Sequence, residues 1–115
     1  MTISIGAVMF DTRDAQALAA WWTRQTDATT IHDDGGPFVF VRTPAGLTLG
    51  FQTVPDPTPG KNRVHVDVHA ADREAEVARL LGDGATLVAR HELDGFPWVV
   101  LADPEGNQFC VTEGE

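Results

Sequence analysis

The chain has 115 residues and carries 8 Lys+Arg against 17 Asp+Glu, a net charge of −9. A surface this acidic excludes nucleic acid as a partner, because phosphate contacts need clustered cations, and favours cationic or neutral small ligands. At 43% hydrophobic residues the chain is too apolar for disorder, and no apolar run approaches the ~18 residues that span a bilayer.

The first half predicts one strand, a helix and three more strands. Ile3 to Asp11 is apolar and β-prone and reads as the first strand. Met1 to Phe10 lacks the basic start and small-residue cleavage site of a secretory signal, so a cytoplasmic protein is expected. A helix follows from Asp14, with Ala15, Leu18, Ala19 and Trp22 at i, i+3, i+4 and i+7 forming its apolar stripe. Trp21 points about 100° away from Trp22 and is expected to cover an interface. Ala28 to Asp33 reads as a short strand closed by the Asp33-Asp-Gly-Gly36 turn. Phe38 to Thr43 and Leu47 to Val54 are the third and fourth strands, joined at Pro44-Ala-Gly46.

Val54-Pro-Asp-Pro-Thr-Pro-Gly60 then packs three prolines and a glycine into seven residues, a linker that neither a helix nor a central strand tolerates. The second half repeats the order. Arg63 to Ala70 alternates strictly, with Val64, Val66 and Val68 on one face and His65, Asp67 and His69 on the other. Asp72 is an N-cap for a helix carrying Val77, Leu80 and Leu81, ended by Gly82 and Gly84. Strands follow at Ala85 to His91, Phe96 to Ala102 and Gln108 to Thr112, separated by the Asp94-Gly95 and Asp103-Pro-Glu-Gly-Asn107 turns. His32 and His91 fall beside turns and are expected to be exposed.

Sliding one half over the other by 58 positions, the offset from Asp14 to Asp72, puts Phe38 on Phe96, Phe40 on Trp98, Val41 on Val99 and Phe51 on Phe109. The agreement of caps, aromatics and element order describes an α+β chain of two βαβββ modules. They are about 1–54 and 63–115, joined by a linker at 55–62 within one domain. A helix covers one face of each sheet, so the other face is left to form a half-open, barrel-like cup. Leu47, Leu49, Phe51, Phe109 and Val111 are assigned to the helix side. Thr48, Gly50, Gln52, Gln108, Cys110 and Thr112 are assigned to the cup. Phe38, Phe40, Phe96 and Trp98 are its expected stacking wall.

Two paired βαβββ modules with the stretches Pro59-Gly-Lys-Asn-Arg-Val-His-Val-Asp-Val68 and Trp98-Val-Val-Leu-Ala-Asp-Pro-Glu-Gly-Asn-Gln-Phe-Cys-Val111 resemble the vicinal oxygen chelate superfamily. That superfamily holds glyoxalase I, extradiol dioxygenases and bleomycin-resistance proteins, and the likeness is to its small single-domain glyoxalase-like branch. The resemblance implies four metal positions, on the inward faces of the first and last strands of each module. Carried over, they are Ala7, Gln52, His65 and Cys110. Only His65 and Cys110 are good donors, Gln52 is a weak one, and the usual carboxylate is missing. A divalent metal is the one cofactor the resemblance implies, and the set for it is incomplete. Small relatives of this kind are often dimers, so the resemblance implies a homodimer.

Gln52, His65, Asp67, His69, Phe40, Trp98 and Cys110 are therefore the cavity residues to look for. Asp67, at i+2 from His65, offers an alternative acid–base or metal cluster with His65 and His69. Each residue has a plainer role open to it: Cys110 as a small buried hydrophobe, the His–Asp–His face as a solvated rim. No residue identifies itself as catalytic. Bleomycin-resistance-like sequestration of a cationic or aromatic small molecule without a catalytic metal is the expected function. A metal-dependent or acid–base lyase, isomerase or dioxygenase is the alternative, and a ligand-free interaction module is the third reading.

Overall fold

The computed structural model describes residues 2–114. The architecture is α+β, two βαβββ modules each built on an open four-stranded mixed sheet. The chain divides into two compact units between Thr58 and Pro59, inside the proline-rich linker.

Module one comprises β1 (Val8–Thr12), α1 (Ala15–Thr26), β2 (Thr29–Asp33), β3 (Phe38–Arg42) and β4 (Thr48–Thr53). Its sheet runs in the order β1-β4-β3-β2, with β1 parallel to β4 and the other pairs antiparallel. Asp14 caps α1, its side chain accepting from the backbone N–H of Ala17 at 3.1 Å. Ala15, Leu18, Ala19 and Trp22 are buried as the periodicity predicts. Under them Phe10 stacks on Phe51, with ring centroids 5.2 Å apart, and tilts against Trp22 at 5.5 Å.

Module two comprises β5 (Val66–Ala70), α2 (Arg73–Gly82), β6 (Thr86–Leu93), β7 (Phe96–Ala102) and β8 (Gln108–Glu113), in the order β5-β8-β7-β6. Asp72 caps α2 through the N–H of Ala75. Val77 and Leu80 are buried, as are Val99, Leu101, Phe109 and Val111 in the strands, and α2 packs on β8 and β5. The β6–β7 hairpin closes on Asp94 and Gly95 with φ of 52° and 76°, the mirror-image turn whose twist suits two antiparallel strands. Asp103 is buried and accepts from the N–H groups of Glu105 and Asn107 and from the Asn107 side chain, so its carboxylate is occupied by its own turn.

Several boundary and face expectations are corrected. β1 starts at Val8, not Ile3, because β4 offers partners only from Leu49 onward, and Ile3 and Ile5 are exposed. β5 starts at Val66, where pairing with Phe109 begins, so Val64 lies outside the ladder and is 82% exposed instead of core. Leu47 is exposed because its backbone N–H and C=O close the turn with Thr43. Leu81 sits at the rim of the α2 stripe and is partly exposed. Trp21 is buried edge-on against Trp22, 5.1 Å away, and is not a surface residue. His32 and His91 lie near the ends of β2 and β6, close to the following turns, and both are exposed as expected.

Candidate functional site

The register of module two assembles the site. With Phe109 and Val111 buried, alternation turns Gln108, Cys110 and Thr112 to the face opposite the core. Parallel pairing of β5 with β8 sets Asp67 beside Cys110, and antiparallel pairing of β7 with β8 sets Val100 on its other flank. β6 pairs with β7 so that His91 stands opposite Trp98. A cavity of about 370 Å³ opens on this face, within module two, with polar groups toward β5–β8 and aromatic ones toward β6–β7.

The aromatic side is a stack. The His91 and Trp98 rings lie 5.2 Å apart at 29°, and Phe96 adds a tilted ring 6.5 Å from Trp98. On the polar side, His65 Nδ1 is 3.1 Å from Asp67 Oδ1 and 3.7 Å from Cys110 Sγ. Burial, and then the neighbouring Asp67 carboxylate, push the Cys110 thiol up from its ordinary range, so by itself it is a thiol and not a ready nucleophile. Both Asp67 and Cys110 address the same imidazole nitrogen. That differs from a nucleophilic relay, in which base and orienting group use opposite nitrogens.

Asn62 fixes this corner. Its side-chain oxygen accepts from the Gln108 N–H at 2.8 Å, and its amide donates to the carbonyls of Val64 at 2.6 Å and Gln108 at 3.0 Å. These bonds tie the segment before β5 to the start of β8 and hold His65 beside Cys110. No sequence signal marks Asn62, because two of its three bonds go to the backbone of Gln108, 46 residues away. His91 was likewise missed as a site residue. Its signal is the two-residue Asp94-Gly95 turn, which sets the pairing of His91 with Trp98.

The predicted site residues thus divide. His65, Asp67, Cys110 and Trp98 line one cavity. His69 shares their face but its Nδ1 engages Thr112 Oγ1 at 2.6 Å, and it does not line the cavity. Gln52 and Phe40 lie on β4 and β3 of module one. There Phe40 meets His32 across the strands, with centroids 6.1 Å apart, an echo of the His91–Trp98 pair. The space over Gly50 in that module is taken by the Met9 side chain and the Phe40 ring.

The four positions implied by the resemblance do not suit the superfamily's metal. Ala7 has no donor atom, Gln52 offers only a neutral oxygen, and no carboxylate stands among Ala7, Gln52, His65 and Cys110.

The comparisons with known proteins agree with the architecture. A glyoxalase/bleomycin resistance/dioxygenase family enzyme from Burkholderia phytofirmans PsJN is 23% identical, with a TM-score of 0.75 over 93% of this chain and 95% of that one. A genomically encoded fosfomycin resistance protein from Listeria monocytogenes is 13% identical, with a TM-score of 0.80 over 100% and 96%. Lactoylglutathione lyase from Agrobacterium tumefaciens is 19% identical, with a TM-score of 0.71 over 96% and 93%. At such identities the likeness is one of fold. No curated protein matches the sequence. The sequence profile of the glyoxalase-like domain matches residues 7–112, nearly the whole chain, and the protein belongs to that family within the vicinal oxygen chelate superfamily.

Proposed function

We infer that the protein binds a small, flat, cationic molecule in the module-two cavity and sequesters it, without the four-ligand catalytic metal of the superfamily. The stacked His91–Trp98 pair facing Asp67 across a cavity of about 370 Å³ carries this reading. The rings supply a stacking surface, and the Asp67 carboxylate offsets Lys61, which also lines the cavity. The −9 net charge favours a cationic ligand, and the volume suits a small organic one. The structural neighbours include a fosfomycin resistance protein and a lactoylglutathione lyase, so the fold alone does not choose between binding and turnover. The absence of a carboxylate from Ala7, Gln52, His65 and Cys110 weighs against turnover by the superfamily's four-ligand metal.

Fluorescence polarisation with proflavine, a flat cation, and anthracene-9-carboxylate, a flat anion, tests this. Saturable binding that favours proflavine is expected. Loss of the stack in Trp98→Ala should weaken it by about 5–30-fold, the equivalent of roughly 1–2 kcal/mol. Asp67→Asn should erase the preference for the cation. Saturable binding of neither dye, or proflavine affinity unchanged in Trp98→Ala, refutes the reading.

A further inference from the structure

We propose that His65, Asp67 and Cys110 form a Zn²⁺ site built within module two alone, with imidazole, carboxylate and thiolate donors. The ligand atoms of these three residues all lie within 4.8 Å of one another. A tetrahedral zinc with bonds of about 2.3 Å to sulfur and about 2.0–2.2 Å to nitrogen or oxygen spaces its donors at about 3.5 Å for S···N and about 3.3 Å for N···O. The observed separations are 3.7 Å for Cys110 Sγ to His65 Nδ1 and 3.1 Å for His65 Nδ1 to Asp67 Oδ1. The donors already mark two edges of the coordination tetrahedron.

The backbone sets this spacing. Asp67 and Cys110 are direct partners in the β5–β8 ladder, and the Asn62 bonds hold His65 against them. The site departs from the superfamily's pattern in a chemically definite way. The carboxylate comes from Asp67, two residues beyond His65, and a cysteine stands where the last strand of module two would carry the acid. No donor from module one is needed. A thiolate with an imidazole favours Zn²⁺ over the hard Mg²⁺ and Mn²⁺ ions. Three protein ligands leave one position open toward the cavity, as in zinc sites that take up a further ligand. On binding, the Cys110 thiol releases its proton to solvent.

This inference goes beyond the dye-binding reading and does not rest on it. The two share Asp67, so the dyes are tested on metal-free protein and the metal without dye. Trp98→Ala, which touches only the stack, tells the two failures apart. Titration of EDTA-treated protein with Co²⁺, followed by Zn²⁺, tests it. One equivalent of Co²⁺ should give an intense thiolate-to-cobalt charge-transfer band in the near ultraviolet and the strong visible bands of tetrahedral cobalt, and Zn²⁺ should bleach both. Cys110→Ser should abolish the charge-transfer band. His65→Gln and Asp67→Asn should each weaken Zn²⁺ binding by at least about tenfold in competition with a chromophoric chelator. No charge-transfer band in the unmodified protein, or Zn²⁺ affinity unchanged by both His65→Gln and Asp67→Asn, overturns the proposal. Should Cys110→Ser fail to fold, the wild-type band and the two exposed-site variants still decide it.

Discussion

Truncating Phe109 tests the face assignment on which the site depends. Phe109 is 1% exposed on the core side of β8, whereas Phe96, at the cavity mouth on β7, is 55% exposed. Removing the Phe109 ring forfeits about 1.5–3 kcal/mol of transfer free energy. The packed layer of Val99, Leu101 and Val111 cannot collapse fully into the gap, so the total loss for Phe109→Ala is about 3–5 kcal/mol. For a chain of this length that corresponds to a fall of roughly 12–20 °C in melting temperature. Phe96→Ala, at the exposed mouth, should cost no more than about 1 kcal/mol while weakening dye binding. Urea denaturation followed by far-ultraviolet circular dichroism gives both numbers by linear extrapolation. A loss under about 1 kcal/mol for Phe109→Ala, or a larger loss for Phe96→Ala, would mean that the sheet of module two presents its faces the other way round.

Two further outcomes are expected. Gly50 has no left-handed backbone to protect, yet a Cβ there would strike the Met9 side chain and come within 2.8 Å of the Phe40 ring. Gly50→Ala should therefore destabilise by about 1–3 kcal/mol. Met9→Ala in the same chain should recover part of that loss, and full stability of Gly50→Ala alone would refute the filled face. The hydrogen bonds from Arg90, and then Arg73, hold the Glu74 carboxyl below the ordinary glutamate range. A lowered folded-state value means that the ion pair stabilises the fold above the unfolded-state pKa and loses that contribution as pH falls through the folded-state value. An NMR titration should place the Glu74 midpoint low and show it rising toward the ordinary range in Arg90→Gln; an unmoved midpoint would refute the assignment of Arg90 as its main partner.

Local chemistry was legible in the sequence. Asp14 and Asp72 cap the two helices, because an Asx side chain satisfies the orphan N–H groups of a first turn wherever it stands. Alternation in Gln108 to Thr112 put Cys110 on the open face, since successive strand residues must point to opposite sides. The internal repeat, read from caps and aromatics, yielded two βαβββ modules. What the sequence could not determine was everything that depends on pairing partners. Val64 and Leu47 fit their strand patterns but fall outside the ladders, because a ladder ends where its neighbour ends. Trp21 and Trp22 diverge along the helix, yet both are buried.

The candidate site shows the same division. His65, Asp67 and Cys110 were each visible as residues of one face, but their convergence within 4.8 Å follows from the β5–β8 register and from Asn62, which acts across 46 residues of chain. His91 joins Trp98 only through the register of the β6–β7 hairpin. The periodicity of a strand is written in its own residues, so the sequence alone determined which side chains share a face. Their distances across strands are set by hydrogen bonds to other segments, and only the tertiary structure decided them.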